Sequence, residues 1–226
     1  MGFSYAPAVQ VHTGAERASL VRRTYGLVFL SILVTMVGSA FAFTQAPLMQ
    51  GVIQHPIITF ICMFIPLIMA QRSARDFPKN VILTLIFTFI EGIWLAPFLA
   101  LANQSAPGTV ASAAVLTFVA FGGLTLYALV SRRDFSAWGS FFMIGLLLLF
   151  AAMIINFFVH SAAAGLWLSA VGVLVFSGLL VFDTWRLLRS GMLGPDDYVF
   201  AAVNIYLDLL NMFLFILTLL GGRNRR

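Results

Sequence analysis

Apolar residues along this chain fall in long unbroken runs, separated by short groups of charged residues, proline and glycine. Seven such runs are read at about 24–43, 52–70, 80–101, 110–130, 138–159, 165–185 and 198–220. Each is close to the roughly 20 residues a helix needs to cross a bilayer. Backbone groups inside hydrocarbon have no water to bond, so each run must be helical, and no strand-like alternation points to a barrel. The expected fold is all-α: a polytopic membrane protein with seven transmembrane helices over residues 24–220. A cytoplasmic N-terminal arm, 1–23, precedes them and a basic tail, 221–226, follows.

Composition narrows the function. Of 226 residues 61% are hydrophobic and 9% charged, where a soluble domain carries about 25% charge. A water-soluble fold is excluded, and the short loops leave no room for a catalytic head, a nucleotide-binding domain or a nucleic-acid module, despite a pI near 10.0. The single cysteine, Cys62, supports neither a disulfide framework nor a thiol metal cluster. Cofactors are not expected, and the bilayer itself is the first partner.

The net charge of +5 is accounted for by membrane orientation. Arg17, Arg22 and Arg23 precede the first run; Arg72, Arg75 and Lys79 fill the second loop, Arg132 and Arg133 the fourth, Arg186 and Arg189 the sixth. The odd loops contain no Lys or Arg. Cytoplasmic loops are the basic ones, so the N-terminus is expected in the cytoplasm, with the chain in a bacterial inner membrane. Seven crossings leave Arg223, Arg225 and Arg226 outside; a re-entrant last segment would be the alternative. Arg22-Arg23 before a run ending Ala40-Phe41-Ala42 has the outline of a cleaved signal, but the run is long for one and is expected to be retained.

Ionisable groups deep in a span cost about 2.5–3.5 kcal/mol each and mark functional sites by default. Three acids qualify: Glu91, Asp183 and Asp208. In the last run Asp197, Asn204, Asp208, Asn211 and Thr218 share one helical face. That stripe can avoid lipid only against other helices, so the C-terminal helix is expected at the centre of the bundle. Thr84, Thr88 and Glu91 repeat the device in the third run. The Asn and Thr residues can also act simply as interhelical glue, and Glu91 as a structural acid. Gly38 and Ala42 have the spacing of a close helix contact.

Asp183 and Asp208 descend from the same side on consecutive helices and can therefore meet. Two unit charges about 4 Å apart repel by about 4 kcal/mol at an effective dielectric near 20, so the pair is expected to share one proton near neutral pH. A competing arrangement sets a guanidinium against them, from Arg72, Arg75 or Arg186. Oxygen ligands suit a hard cation such as calcium, but Asp183, Asp208, Asn204 and Asn211 are too few for a tight cage. A weak calcium site that passes ions fits better than a storage site.

The run Val181-Phe182-Asp183-Thr184-Trp185-Arg186, then Gly194-Pro195-Asp196-Asp197-Tyr198, then Asn204-Ile205-Tyr206-Leu207-Asp208-Leu209-Leu210-Asn211-Met212-Phe213 resembles the C-terminal signature of the Bax inhibitor-1 family, the TMBIM or bacterial YccA-like group. Val21-Arg22-Arg23-Thr24-Tyr25, Gly92-Ile93-Trp94-Leu95-Ala96-Pro97 and Ile155-Asn156-Phe157-Phe158 are similar to that family as well. Two residues depart from its pattern: Trp185 stands where a glutamine is usual, and Asn204 where some relatives are acidic.

The resemblance implies a seven-helix fold around its last helix and a pH-sensitive calcium leak. It also implies a di-aspartyl sensor on Asp183 and Asp208, and an arginine latch on Arg72 with Arg75 in reserve. Asn204, Asn211, Asp197 and Glu91 would support a polar pore face. Eukaryotic relatives suppress cell death, and bacterial relatives associate with a membrane-bound ATP-dependent protease. The chain is therefore expected not to be an enzyme. A regulatory partner of such a protease and a proton-coupled cation carrier are the alternatives. An intramembrane aspartyl protease also needs two facing aspartates, but Asp208 follows Tyr206-Leu207 rather than the Gly-x-Gly of that class.

Overall fold

The computed structural model describes residues 14–73, 76–189 and 191–223. The arm over 1–13, Arg75 and the tail residues 224–226 lie outside the described residues. Eight helices follow one another: α1 (Gly14–Thr44), α2 (Ala46–Gln54), α3 (Pro56–Arg72), α4 (Lys79–Ser105), α5 (Thr109–Val130), α6 (Ser136–Val159), α7 (Ala162–Arg189) and α8 (Tyr198–Arg223). No strand occurs among the described residues. Six helices are long and apolar enough to cross a membrane, and α2 with α3 forms a bent pair that supplies a seventh span if counted as one.

Two boundaries differ from the hydropathy reading. α1 begins at Gly14, so residues 14–23 are not a separate arm but the first turns of the first helix. The second apolar run is not one rod: α2 and α3 meet at 107°. Pro56 is the cause. It has no N–H to donate and its ring disfavours helical backbone in the residue before it. His55 accordingly sits at φ −129° and ψ 54°, with Pro56 starting α3. The last segment, considered above as re-entrant, is one continuous helix, α8.

α1 and α4 form the tightest seam, and they run in parallel: Thr35 lies beside Thr88 and Ser39 beside Gly92. The Thr35 hydroxyl donates to the Thr88 carbonyl at 3.2 Å and the Ser39 hydroxyl to the Gly92 carbonyl at 2.8 Å. Gly38 faces the Phe89 backbone and Gly92 the Thr35 backbone, with no space at either for a methyl group. Small residues of this kind let two membrane helices approach closely.

α8 lies at the centre, packed against α1, α4, α5 and α7. Its Val199, Ile205, Tyr206 and Met212 are enclosed by protein, together with Phe87 of α4 and Leu180 of α7. α6 is the opposite case. Only Leu149 along it is buried, and its Phe141, Ile144, Leu147, Leu148 and Phe157 face outward, as side chains in contact with lipid do. It is attached through two notches in α7 and α6: the Phe142 ring sits on Gly178 and the Phe182 ring on Gly139.

Most of the Lys and Arg among the described residues gather at one end of the bundle, Arg223 at the far end of α8 being an exception. Arg23 of α1 stacks over the Tyr198 ring at the start of α8, 5.8 Å from its centroid. Arg189 at the end of α7 donates to the Leu129 carbonyl at 2.8 Å and to that of Ser131. Those acceptors are at the C-terminus of α5, where free carbonyls and the helix dipole favour a cation.

Candidate functional site

Asp208 is buried in α8, about 15 Å from the start of that helix at 1.5 Å per residue. Asp183 is in α7, six residues before its end at Arg189. Their carboxyl groups face one another within hydrogen-bond reach. An ionised carboxylate only accepts, so a bond between them requires a proton on one of the two. No described residue donates to Asp208 Oδ2, and a buried acceptor left unserved is costly.

The guanidinium nearest this pair belongs to α7 itself. Arg186, one turn beyond Asp183, acts on its charge and packs over the Phe200 ring of α8 at 5.1 Å. Arg72 is exposed at the end of α3 and makes no ion pair with any described residue. Beside the pair is a group of hydroxyls that the residue pattern did not single out. Tyr25 of α1 is directed at Thr184 of α7 and Thr125 of α5, and none of the three oxygens completes a well-formed hydrogen bond with a described residue.

Asp197, Asn211 and Thr218 bond locally. Asp197 is the residue before the helix: its carboxylate accepts from the Gly194 N–H at 2.8 Å and its carbonyl from the Ala201 N–H at 3.0 Å. It closes the turn into α8. Asn211 donates to the Leu207 carbonyl of its own helix at 2.8 Å, Thr218 to that of Leu214 at 2.8 Å, and Asn204 is half-buried.

Glu91 lies elsewhere. It is 4% exposed and accepts from the Tyr206 hydroxyl at 2.9 Å, while Thr35 Oγ1 stands 2.6 Å from that same hydroxyl. Residues 206 and 208 differ by about 200° around an α-helix. Tyr206 therefore serves α1 and α4, and Asp208 serves α7. Glu91 is on the far side of α8 from the aspartates.

Space around these groups is limited. A crevice of about 360 Å³ between α1, α4, α5 and α8 is lined by Thr35, Tyr206 and mostly apolar residues such as Leu95, Val110 and Phe213. A second, of about 700 Å³, lies at the end of the bundle remote from Arg23 and Arg189 and includes Asn156, His160 and Thr218. A third, of about 460 Å³, is at the basic end and includes Arg23, Asn80 and Asp196. Neither Asp183 nor Asp208 lines any of these.

Apolar helices around one central helix, with carboxyl groups enclosed on both sides of it, define a polytopic membrane protein with an ionisable core. The family described as "Inhibitor of apoptosis-promoting Bax1" matches residues 17–225. The "Golgi anti-apoptotic protein" of Vaccinia virus is 35% identical over 228 residues, covering 99% of this chain and 94% of that protein. "Protein lifeguard 4" of Mus musculus is 32% identical, covering 99% and 93%. An uncharacterised membrane protein of Vibrio cholerae is 31% identical, covering 92% of each. The chain belongs to the Bax inhibitor-1 family, as the resemblance of its C-terminal signature implied.

Proposed function

We propose that this protein is a pH-sensitive calcium leak of the Bax inhibitor-1 type, gated by the proton that Asp183 and Asp208 share. The observation that carries the reading is the facing of two carboxyl groups from consecutive membrane helices, Asp208 buried in α8 and Asp183 half-buried in α7. A carboxylate without that role would be an expensive helix contact, since an amide bonds as well without the cost of a charge. Gain or loss of one proton changes the charge between α7 and α8 by one unit and biases their packing toward an open or a closed state.

The role is not enzymatic, and calcium and protons are ions passed or sensed rather than cofactors. Asp183 and Asp208 offer calcium a weak oxygen site on its way through. The accumulation of Arg and Lys at one end supports an orientation with the N-terminus in the cytoplasm, the membrane being a bacterial inner membrane. Arg186 holds the place beside Asp183 in this packing, and Arg72 is the second arginine available to latch the pair.

The test is calcium flux into proteoliposomes between pH 6 and 8, for wild type and for Asp183→Asn and Asp208→Asn. The expected result is a pH-dependent leak that runs down the calcium gradient without a proton gradient. A flux that needs a proton gradient, or pH dependence untouched by both substitutions, overturns the reading.

A further inference from the structure

The hydrogen bonds around Glu91 form a chain with two equivalent settings. With Glu91 ionised, Tyr206 donates to Glu91 Oε2 at 2.9 Å, and Thr35 donates to the Tyr206 oxygen at 2.6 Å. With Glu91 carrying a proton, every bond can reverse. Glu91 then donates to Tyr206 and Tyr206 to Thr35, whose own proton goes to the Ser31 carbonyl at 2.9 Å or the Thr88 carbonyl at 3.2 Å. Each hydroxyl proton has an acceptor in both settings. Only O–H bonds are made or broken, and the one added proton comes from and returns to the aqueous phase.

A purely structural carboxylate would need just one of these settings. The second exists because Thr35 has two carbonyls in range besides Tyr206. Buried hydroxyls and carboxyls normally find a partner. Here they keep one through a change of protonation.

We infer that Glu91, Tyr206 and Thr35 form a second proton-binding site, separate from the aspartate pair and joining α1, α4 and α8. The groups around it do not titrate in competition. Ser31 and Ser39 approach from α1 and Thr88 from α4. Phe87 meets the Tyr206 ring edge-on at 6.4 Å, and Phe64 of α3 backs Phe87 at 6.1 Å. On the α5 side, Val110, Ala114 and Thr117 line the 360 Å³ crevice that borders Thr35 and Tyr206. Asp208 points to the opposite face of α8. The site is unaffected by whether the protein conducts calcium, so it goes beyond the leak reading.

Infrared difference spectra between acidic and alkaline pH, recorded on the protein in lipid bilayers, test this without any transport. A protonated carboxyl gives its own C=O stretching band. One such band is expected to be lost in Glu91→Gln and retained in the Asp183→Asn/Asp208→Asn double variant. In Tyr206→Phe, which keeps the ring and removes the donor, and in Thr35→Val, the same band is expected to shift in frequency. A spectrum unchanged by Glu91→Gln overturns the inference, because Glu91 then exchanges no proton. A Glu91 band that neither Tyr206→Phe nor Thr35→Val moves also overturns it, since the chain is then not part of the site. If proteoliposomes pass no calcium while the band behaves as expected, the leak reading fails and this site stands.

Discussion

Gly92 of α4 lies against the backbone carbonyl of Thr35 in α1, and Gly38 of α1 lies in turn against that of Phe89 in α4. The two glycines make the α1–α4 seam a contact of backbone on backbone. Neither neighbour can yield, because each is itself part of a helix. Gly92→Ala and Gly38→Ala are each expected to lower stability by about 1–3 kcal/mol, the usual cost of overpacking. Thermal unfolding in detergent measures this. Gly51→Ala, where no atom crowds the position, serves as the control and is expected to be neutral or slightly stabilising.

Asparagine at positions 183 and 208 stands for the neutral carboxyl. The double variant Asp183→Asn/Asp208→Asn is therefore expected to hold calcium flux, at every pH from 6 to 8, at the level wild type shows at the acidic end. Each single variant retains one titrating group and is expected to keep a weaker pH response. Flux recorded at a fixed calcium gradient across that range checks both.

Asp197 ties down the start of α8 and, on this geometry, has no part in ion passage. Asp197→Ala is expected to cost about 1 kcal/mol, the net scale of one side chain to backbone hydrogen bond, here the one that closes the turn on Gly194. Asp197→Asn should recover most of it. In neither variant does the pH profile of flux change. Unfolding midpoints and flux, measured side by side, separate a turn-closing role from a pore-lining one.

Arg189 joins the ends of α7 and α5 through two carbonyls, Leu129 and Ser131. Arg189→Ala is expected to lose about 1 kcal/mol, the net scale of a typical hydrogen bond. Arg189→Lys restores only part of it, because an ammonium cannot span two acceptors as a planar guanidinium does. Denaturation of the three proteins under identical detergent conditions gives the order Arg, Lys, Ala.

Arg186 and Arg72 are distinguished by their surroundings. Arg186→Gln removes the cation beside Asp183 and is expected to alter the pH midpoint of flux. Arg72→Gln, at the exposed end of α3, is expected to leave that midpoint in place if the present packing is the resting state. A midpoint moved by Arg72→Gln alone would assign the latch to α3.

Much of this architecture is legible in the residues because lipid imposes one rule on every span. The apolar runs mark α1 and α4–α8, and Tyr198 is read correctly as the first residue of the last one. The central position of α8 follows from Asp208, which has no tolerable place facing hydrocarbon. The bend at His55 is less visible, since hydropathy continues smoothly across Gln54-His55-Pro56 while the backbone cannot.

Periodicity also groups Asp197 with Asp208, because spacing records which face a residue is on and not what it bonds. The Gly-Pro-Asp-Asp composition of 194–197 carried the turn signal instead. The partner of Glu91 was hidden for a related reason. Tyr206 sits among Ile205, Leu207 and Leu209, where a phenol passes for one more apolar side chain, and only its place two residues before Asp208 sets it on the opposite face.

α6 turns nearly its whole circumference to the acyl chains, with Leu149 alone enclosed and two ring-in-notch contacts holding it to α7. What this helix contributes is thickness and greasiness rather than shape. An unrelated aliphatic stretch of equal length, with Gly139 and Phe142 kept, would serve the assembly as well. The bundle thus carries one interchangeable wall around an interior in which almost nothing can be exchanged.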